Sequence, residues 1–247
     1  MVEIRNLSHR FADGVLGLKN VNLAISAGEF LVIAGENGAG KSLLMRHLVA
    51  LATPTSGSIL FQGREIGLQL KEVRQAIGLV FQDSGAQIVS LTVEEDVGFG
   101  PRNRGWPASE VQLAVSKALE AVGLLNRRQQ PCSQLSGGEL RRTAIAGVLA
   151  LNPAVVVLDE PFTGLDLSAV QAVLRTLVEL HQSGITIILL THELDKCLAL
   201  ATRLVLMTGG EVLADGSPAD LWDLITKVKV HRPSGGRERL AEMTWLA

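Results

Sequence analysis

Residues 35–42 read Gly35-Glu36-Asn37-Gly38-Ala39-Gly40-Lys41-Ser42, a Gly-x4-Gly-Lys-Ser pattern between an apolar run at residues 30–34 and a helical pattern starting at Lys41. Position is half of the signal. Glycines let successive backbone N–H groups curl around phosphate oxygens, and a following helix start adds positive potential. A lysine can reach the β and γ phosphates, and the next hydroxyl can ligate Mg2+. The chain is thereby constrained to a strand, loop and helix core built to hold a nucleotide.

Residues 155–160, Val-Val-Val-Leu-Asp-Glu, supply a complement: a buried strand ending in two acids before Pro161. Neighbouring residues on a strand face opposite sides, so the two acids take different tasks. Asp159 is expected to hold Mg2+ through water beside Ser42. Glu160 is expected to face the γ-phosphate and polarise an attacking water, because phosphoryl transfer rests mostly on positioning and electrostatics.

The 247 residues are 47% hydrophobic and only 19% charged, with net charge −2. Soluble domains usually carry roughly 25% charged residues, so a large buried core is expected. A membrane span needs about 20 consecutive apolar residues. The longest charge-free apolar stretch, residues 143–158, is broken by Asn152-Pro153. No global positive field favours nucleic acid. Cys132 and Cys197 lie far apart, as expected of a chain in a reducing compartment. The first residues read as a strand rather than a targeting segment, so export is not expected.

Short β-type runs at residues 2–7, 21–25 and 30–34 are separated by turns, and the first two suggest hairpins. Further strands are expected at residues 58–62, 77–81, 154–158, 185–190, 204–207 and 211–214. Helices are expected at 41–51, 108–122, 136–151, 168–181 and 193–201. Alternating strands and helices imply a parallel, doubly wound core. Residues 83–152 read as a helical insertion in which Gly98-Phe99-Gly100-Pro101 and Gly105-Trp106-Pro107 form turns. The expected organisation is one domain over residues 1–225, then a basic, partly flexible tail over 226–247 with a hinge at Pro233-Ser234-Gly235-Gly236. The tail is expected to be solvated and weakly packed, with Leu240, Met243 and Leu246 on one side.

Leu135-Ser136-Gly137-Gly138-Glu139 opens a second helix. Ser136 and Glu139 have capping-box spacing, which does not account for two glycines in a first turn. A second anion site is the sharper reading. Since the first loop already holds a γ-phosphate, this site would serve the nucleotide of another chain, in a head-to-tail dimer enclosing two ATP molecules.

Taken in order, these motifs resemble those of the ATP-binding-cassette (ABC) ATPases over about residues 1–225. The resemblance implies an α/β P-loop NTPase fold, with a mixed sheet core, an N-terminal antiparallel β part and a helical insertion. It implies ATP and Mg2+ as cofactors, and Phe11 stacking on adenine where tyrosine is commoner. Gln82 would sense Mg2+ and water and couple to a membrane partner. Asp166, in Gly164-Leu165-Asp166, would communicate between the two sites, and His192 would contact the γ-phosphate. Ser136, Gly137, Gly138 and Glu139 would form the signature acting in trans, Glu139 standing where glutamine is usual.

Residues 81–89 and 92–101, with Gln87 and the Val93-Glu94-Glu95-Asp96-Val97 run, resemble the energy-coupling-factor ATPases that power cobalt, nickel and vitamin uptake. Asp83-Ser84-Gly85 departs from that branch's usual Asn-Pro-Asp or Asn-Pro-Glu. The branch implies pairing with itself or a paralogue and a transmembrane coupling subunit. It further implies a separate membrane subunit that binds substrate, and a position on the cytoplasmic face of the membrane. The C-terminal tail is expected to support the ATPase pair. Another ABC importer or an exporter stands as the alternative. A soluble ABC protein of ribosomes or DNA would show two cassettes with a charged linker, or a coiled-coil insertion, and neither pattern occurs; no nucleic-acid partner is expected.

Overall fold

A computed structural model describes residues 1–246. In β1 (Val2–Arg10) the buried residues are Val2, Ile4 and Leu7. In β2 (Leu16–Ile25) they are Leu18, Val21, Leu23 and Ile25. Such one-sided burial marks a sheet with one face on a core. The two strands pair antiparallel, and β1 pairs on its other edge with β4 (Ser56–Phe61), which turns back into the short β5 (Arg64–Glu65). The β4–β5 turn holds Gln62 at φ 51° and Gly63 at φ 80°, the sign required at both centres of a tight hairpin turn.

Six further strands form a second sheet: β3 (Phe30–Ala34), β6 (Ile77–Val80), β7 (Val155–Asp159), β8 (Thr186–Thr191), β9 (Arg203–Thr208) and β10 (Glu211–Gly216), in the order β10-β9-β3-β8-β7-β6. All pairings are parallel except that of β10, an antiparallel edge. Strands β3, β7 and β8 are buried throughout, as parallel strands covered on both faces must be. Their alternation divides two cores. Phe30, Val32, Ala34, Val156 and Leu158 face the helical insertion and α6 (Leu167–Gln182), while Leu31, Ile33, Val155 and Val157 face the antiparallel sheet and α1 (Lys41–Leu48). The expected mixed sheet with an antiparallel N-terminal part is therefore present.

The remaining helices are α2 (Leu70–Ala76), α3 (Val93–Asn103), α4 (Ala108–Ala121), α5 (Gly137–Leu149) and the short α7 (Pro218–Leu221). Three sequence expectations are corrected. Gly98-Phe99-Gly100-Pro101 lies inside α3, which starts with a Thr92–Glu95 capping box. Its glycines mark close packing: a Cβ on Gly100 would sit 3.1 Å from Leu151, and one on Gly98 would sit 3.2 Å from Val115. Residues 193–201 form two 3-10 turns, Leu194–Lys196 and Leu198–Leu200, because Cys197 at φ −143° interrupts the run. The tail is packed: Val228, Val230, Pro233 and Met243 are buried, and Met243 O accepts from Ala199 N at 3.0 Å. Helix α2 was not foreseen. Among the described residues no helix is long and apolar enough to cross a membrane.

Candidate active site

Strand β3 delivers the chain into the 35–42 loop, and α1 leaves it. Helices α3, α5 and α6 begin with side-chain caps and α2 and α4 do not; α1 also lacks one and begins at Gly40, φ 99°, directly after the glycine-rich loop. Its first N–H groups are left for a ligand, the arrangement that favours an anion at a helix start. Gly35 is required by contact, since a Cβ there would lie 2.3 Å from Met207 O. Gly38 has open space around it. Ala39 is buried and closes the loop through its N–H to Glu36 O at 3.1 Å.

A cleft of about 490 Å3 runs from Phe11 and Gly17 along residues 37–43 to Gln82 and Glu160. The expected residues Phe11, Asn37, Lys41, Ser42, Gln82 and Glu160 thus meet on one surface. Phe11 is half-exposed at its far end, and its ring lies against Gly17, where a Cβ would come within 2.5 Å of the ring edge. Glu36 is different. Its side chain turns away to Lys229 Nζ at 2.8 Å and Thr208 Oγ1 at 3.3 Å, and the Lys229 hydrogen bond holds its carboxyl below the usual range. Only the Glu36 backbone serves the loop.

Lys41 is buried, and its ammonium donates to Gly35 O at 2.7 Å and Glu36 O at 3.2 Å. It stands 3.5 Å from Glu160 Oε1. Glu160 Oε1 is also 3.0 Å from His192 Nδ1, and His192 N donates to Oε2 at 3.4 Å. Lys41, Glu160 and His192 therefore form one cluster, although they come from three separate segments. Glu160 holds φ 46°, and its N–H donates to Leu190 O at 2.8 Å. A left-handed conformation is costly for a residue with a Cβ and is held only where surroundings over-determine it; no sequence signal announced it.

Asp159 is buried near Ser42, with Oδ1 lacking a partner, and burial raises its pKa while the Ser42 hydroxyl acts to lower it. An orphaned carboxylate oxygen next to a hydroxyl is what a hard divalent cation requires. The donor set at Ser42 and Asp159 fits Mg2+.

Residues 136–139, Arg142, 164–166, Ser168 and Ala169 line a second cleft of about 250 Å3, which shares no lining residue with the first. Ser136 Oγ accepts from Glu139 N at 3.3 Å, and Glu139 Oε2 accepts from both Ser136 N and Ser136 Oγ at 2.9 Å. The Ser136 backbone donor is the main reason the Glu139 carboxyl lies low. Packing accounts for one of the two glycines: a Cβ on Gly138 would lie 2.6 Å from Ala169 Cβ, while Gly137 has nothing nearer than 3.9 Å. Asp166 caps α6, accepting from Ala169 N at 2.8 Å, and that bond lowers its carboxyl.

Three residues that motif reading did not place in the site hold its loops. Gln87 completes the edge of β6, its amide accepting from Phe81 N at 3.1 Å and donating to Leu79 O at 3.0 Å. Buried Asp96 accepts from Val89 N and Ser90 N, and burial raises its pKa. Arg141 of α5 donates to Phe81 O at 3.0 Å from a buried position, next to Gln82 in sequence. Gln87 and Asp96 were legible only as matches to a family pattern, and Arg141 gave no signal.

A family model described as ABC transporter matches residues 18–163. The chain is 38% identical over 239 residues to the energy-coupling factor transporter ATP-binding protein EcfA of Methanothermobacter thermautotrophicus, covering 94% of this chain and 77% of that protein. The solved structure of cbiO1 from Clostridium perfringens, part of the ABC transporter complex cbiONQ, superposes with TM-score 0.84 at 36% identity, covering 93% and 94% of the two chains. The ATP-binding cassette MJ0796, solved as a dimer in a post-hydrolysis state bound to ADP and Pi, superposes with TM-score 0.79 at 29% identity, covering 88% of this chain and 98% of that one. With an uncapped phosphate-facing helix start beside a Lys41, Glu160 and His192 cluster, and with these relatives spanning nearly its whole length, the chain belongs to the ABC transporter family as an ATP-binding, ATP-hydrolysing subunit resembling the energy-coupling factor ATPases.

Proposed function

We propose that the chain is the ATPase of an energy-coupling-factor importer, acting on the cytoplasmic face of the membrane and moving cobalt, nickel or a vitamin. It pairs head to tail with a second copy or a paralogue, and the pair drives a separate transmembrane coupling subunit, while another membrane subunit binds the substrate. The observation that supports this reading is that the helix starts at Lys41 and Gly137 open into two separate clefts, each of which we read as half of a nucleotide site. A second subunit supplies the missing half.

The residues divide the work by position. The 35–42 loop and Lys41 bind the phosphates, and Phe11 offers its ring to adenine. Ser42 and Asp159 would hold Mg2+ together with Gln82, and the ion supplies neutralisation of phosphate charge. Glu160 is the base that polarises water, and His192 steadies it and meets the γ-phosphate. Ser136 and Gly137 approach the partner's nucleotide, and Asp166 lies beside them to sense it. ATP favours the closed pair and its hydrolysis releases it, so differential affinity for the two states does the work.

A groove along β6, about 320 Å3 and lined by Gln75, Leu79, Gln87, Val89 and Phe99, offers a docking place for helices of the coupling subunit, while Gln82 itself lines the nucleotide cleft. Val89 and Phe99 are exposed there. Affinity purification of the tagged chain from its own membranes tests the proposal. A stoichiometric hydrophobic partner and ATP-dependent solute uptake are expected; recovery with ribosomes or DNA and no membrane protein would overturn it.

A further inference from the structure

Lys196 is 7% exposed, and a buried ammonium persists only with compensating partners. It has three. Its Nζ forms an ion pair with Glu193, lies 5.9 Å from the centroid of the buried Phe162 ring, and lies 4.6 Å from that of Trp245. Phe162 follows Glu160 through Pro161, and Glu193 follows His192 directly. One ammonium therefore touches both segments that carry the Glu160 and His192 pair. The other carboxylate oxygen of Glu193 is buried without a partner, which leaves this side chain dependent on Lys196.

Trp245 comes from the C-terminal segment and is fixed there by its backbone. Its N–H donates to Lys196 O at 3.2 Å, and Met243 O accepts from Ala199 N at 3.0 Å. The indole closes the lysine site from outside and presents a π-face to the charge, an attraction that strengthens when water is excluded. Trp245 is absent from the lining of the nucleotide cleft.

We infer that Trp245, acting through Lys196, is a positioning residue for the Glu160 and His192 pair, so that the C-terminal segment sets the hydrolytic geometry without touching nucleotide. The inference rests on the proposed role of Glu160 as base. Loss of the π-face lets Lys196 turn to water, Glu193 loses its counter-charge, and the adjacent His192 loses its fixed distance to Glu160. The phosphate loop and Lys41 are not involved. The signature is therefore a fall in kcat with nucleotide affinity unchanged.

Steady-state ATPase kinetics and titration with a fluorescent ATP analogue, on the purified full chain, test this. Trp245→Leu, which keeps apolar bulk, is expected to lower kcat roughly tenfold with affinity within about twofold of the parent. Trp245→Phe, which restores a π-face, is expected to recover kcat to within about twofold. Lys196→Met and Lys196→Arg form a second pair, with the loss confined to Met. Equal kcat for Leu and Phe at position 245, or a loss expressed as weaker ATP binding, overturns the inference. Glu160→Gln, run alongside, tests the base separately: a variant that still hydrolyses ATP removes that reading, whereas the comparison of Leu with Phe is scored against the parent chain.

Discussion

Glu160 and His192 meet twice, through the imidazole Nδ1 at 3.0 Å and through the His192 backbone N–H at 3.4 Å, each to a different oxygen of one carboxylate. Both lone-pair sets of Glu160 are thus oriented from one side, and Lys41 approaches Oε1 from another at 3.5 Å. Protein contacts alone hold the carboxylate in this direction, at the cost of a left-handed backbone at Glu160. A fixed carboxylate of this kind is what the proposed role of Glu160 as base requires.

Glu160→Gln keeps the side-chain shape and removes the basic oxygen. Turnover should fall by at least about a hundredfold, while ATP affinity stays and the ATP-bound dimer accumulates. Size exclusion with light scattering in the presence of ATP and Mg2+ checks it; a monomer under those conditions, or parental turnover, would contradict the assignment.

Gly17 is a glycine for the sake of its neighbours, since its Cβ would meet Phe11 Cε2 at 2.5 Å and Leu43 Cδ2 at 2.6 Å. Gly17→Ala should push the Phe11 ring off its seat and weaken ATP binding roughly three- to tenfold, the worth of one aromatic contact. Fluorescent-nucleotide titration measures it, with thermal unfolding as control. An unchanged affinity would mean that Phe11 is not the adenine platform.

What the sequence made legible follows from how local the cause is. The loop at 35–42 and the strands at 30–34, 155–159 and 186–191 are determined by neighbours in the chain, and reading them needed only periodicity and glycine spacing. Gly98 and Gly100 misled because a glycine that admits a neighbouring helix looks like one that breaks its own. Residues 193–201 have helical spacing of apolar positions, yet Cys197 at φ −143° leaves the helical region and splits the run into two short turns, a backbone departure that spacing does not announce. The left-handed backbone of Glu160, the turning of Glu36 toward Lys229 and the bond from Arg141 to Phe81 depend on partners distant in sequence, and motif order carries no record of them.

Glu139 stands where a neutral amide is usual and draws the Ser136 hydroxyl into its own helix cap. If that cleft meets the partner's γ-phosphate, the carboxylate opposes it. Glu139→Gln should tighten the ATP-driven dimer by roughly three- to tenfold, as expected for one removed like charge near a surface. Sedimentation in the Glu160→Gln background reads the dimer constant, and a weaker dimer would refute the trans assignment.

His47 is buried on α1 with neither ring nitrogen bonded, its ring 4.9 Å from that of His9. Burial, with the charge of His9 second, pushes its pKa down to about 4 from 6.5. The unfolded chain then binds a proton below pH 6.5 that the folded chain refuses until about pH 4. Stability is therefore complete above pH 6.5 and is lost as pH falls through that window, by about 3 kcal/mol from this group. Asp96 and Asp159, raised by burial, act in the opposite sense, so a comparison isolates the histidine. His47→Leu should flatten the decline in urea midpoint between pH 7 and about 4.5; parallel slopes for the two proteins would count against it.

The bond from Arg141 to Phe81 fastens α5, whose first turn is Ser136-Gly137-Gly138, to the residue immediately before Gln82. In a head-to-tail pair these two ends belong to different nucleotides, Gln82 to the subunit's own and Ser136 to its partner's. In the proposed assembly, a push from the coupling subunit on residues 82–91 would work like a rocker arm through this bond, tilting one end at each chamber, so that opening one would disturb the other.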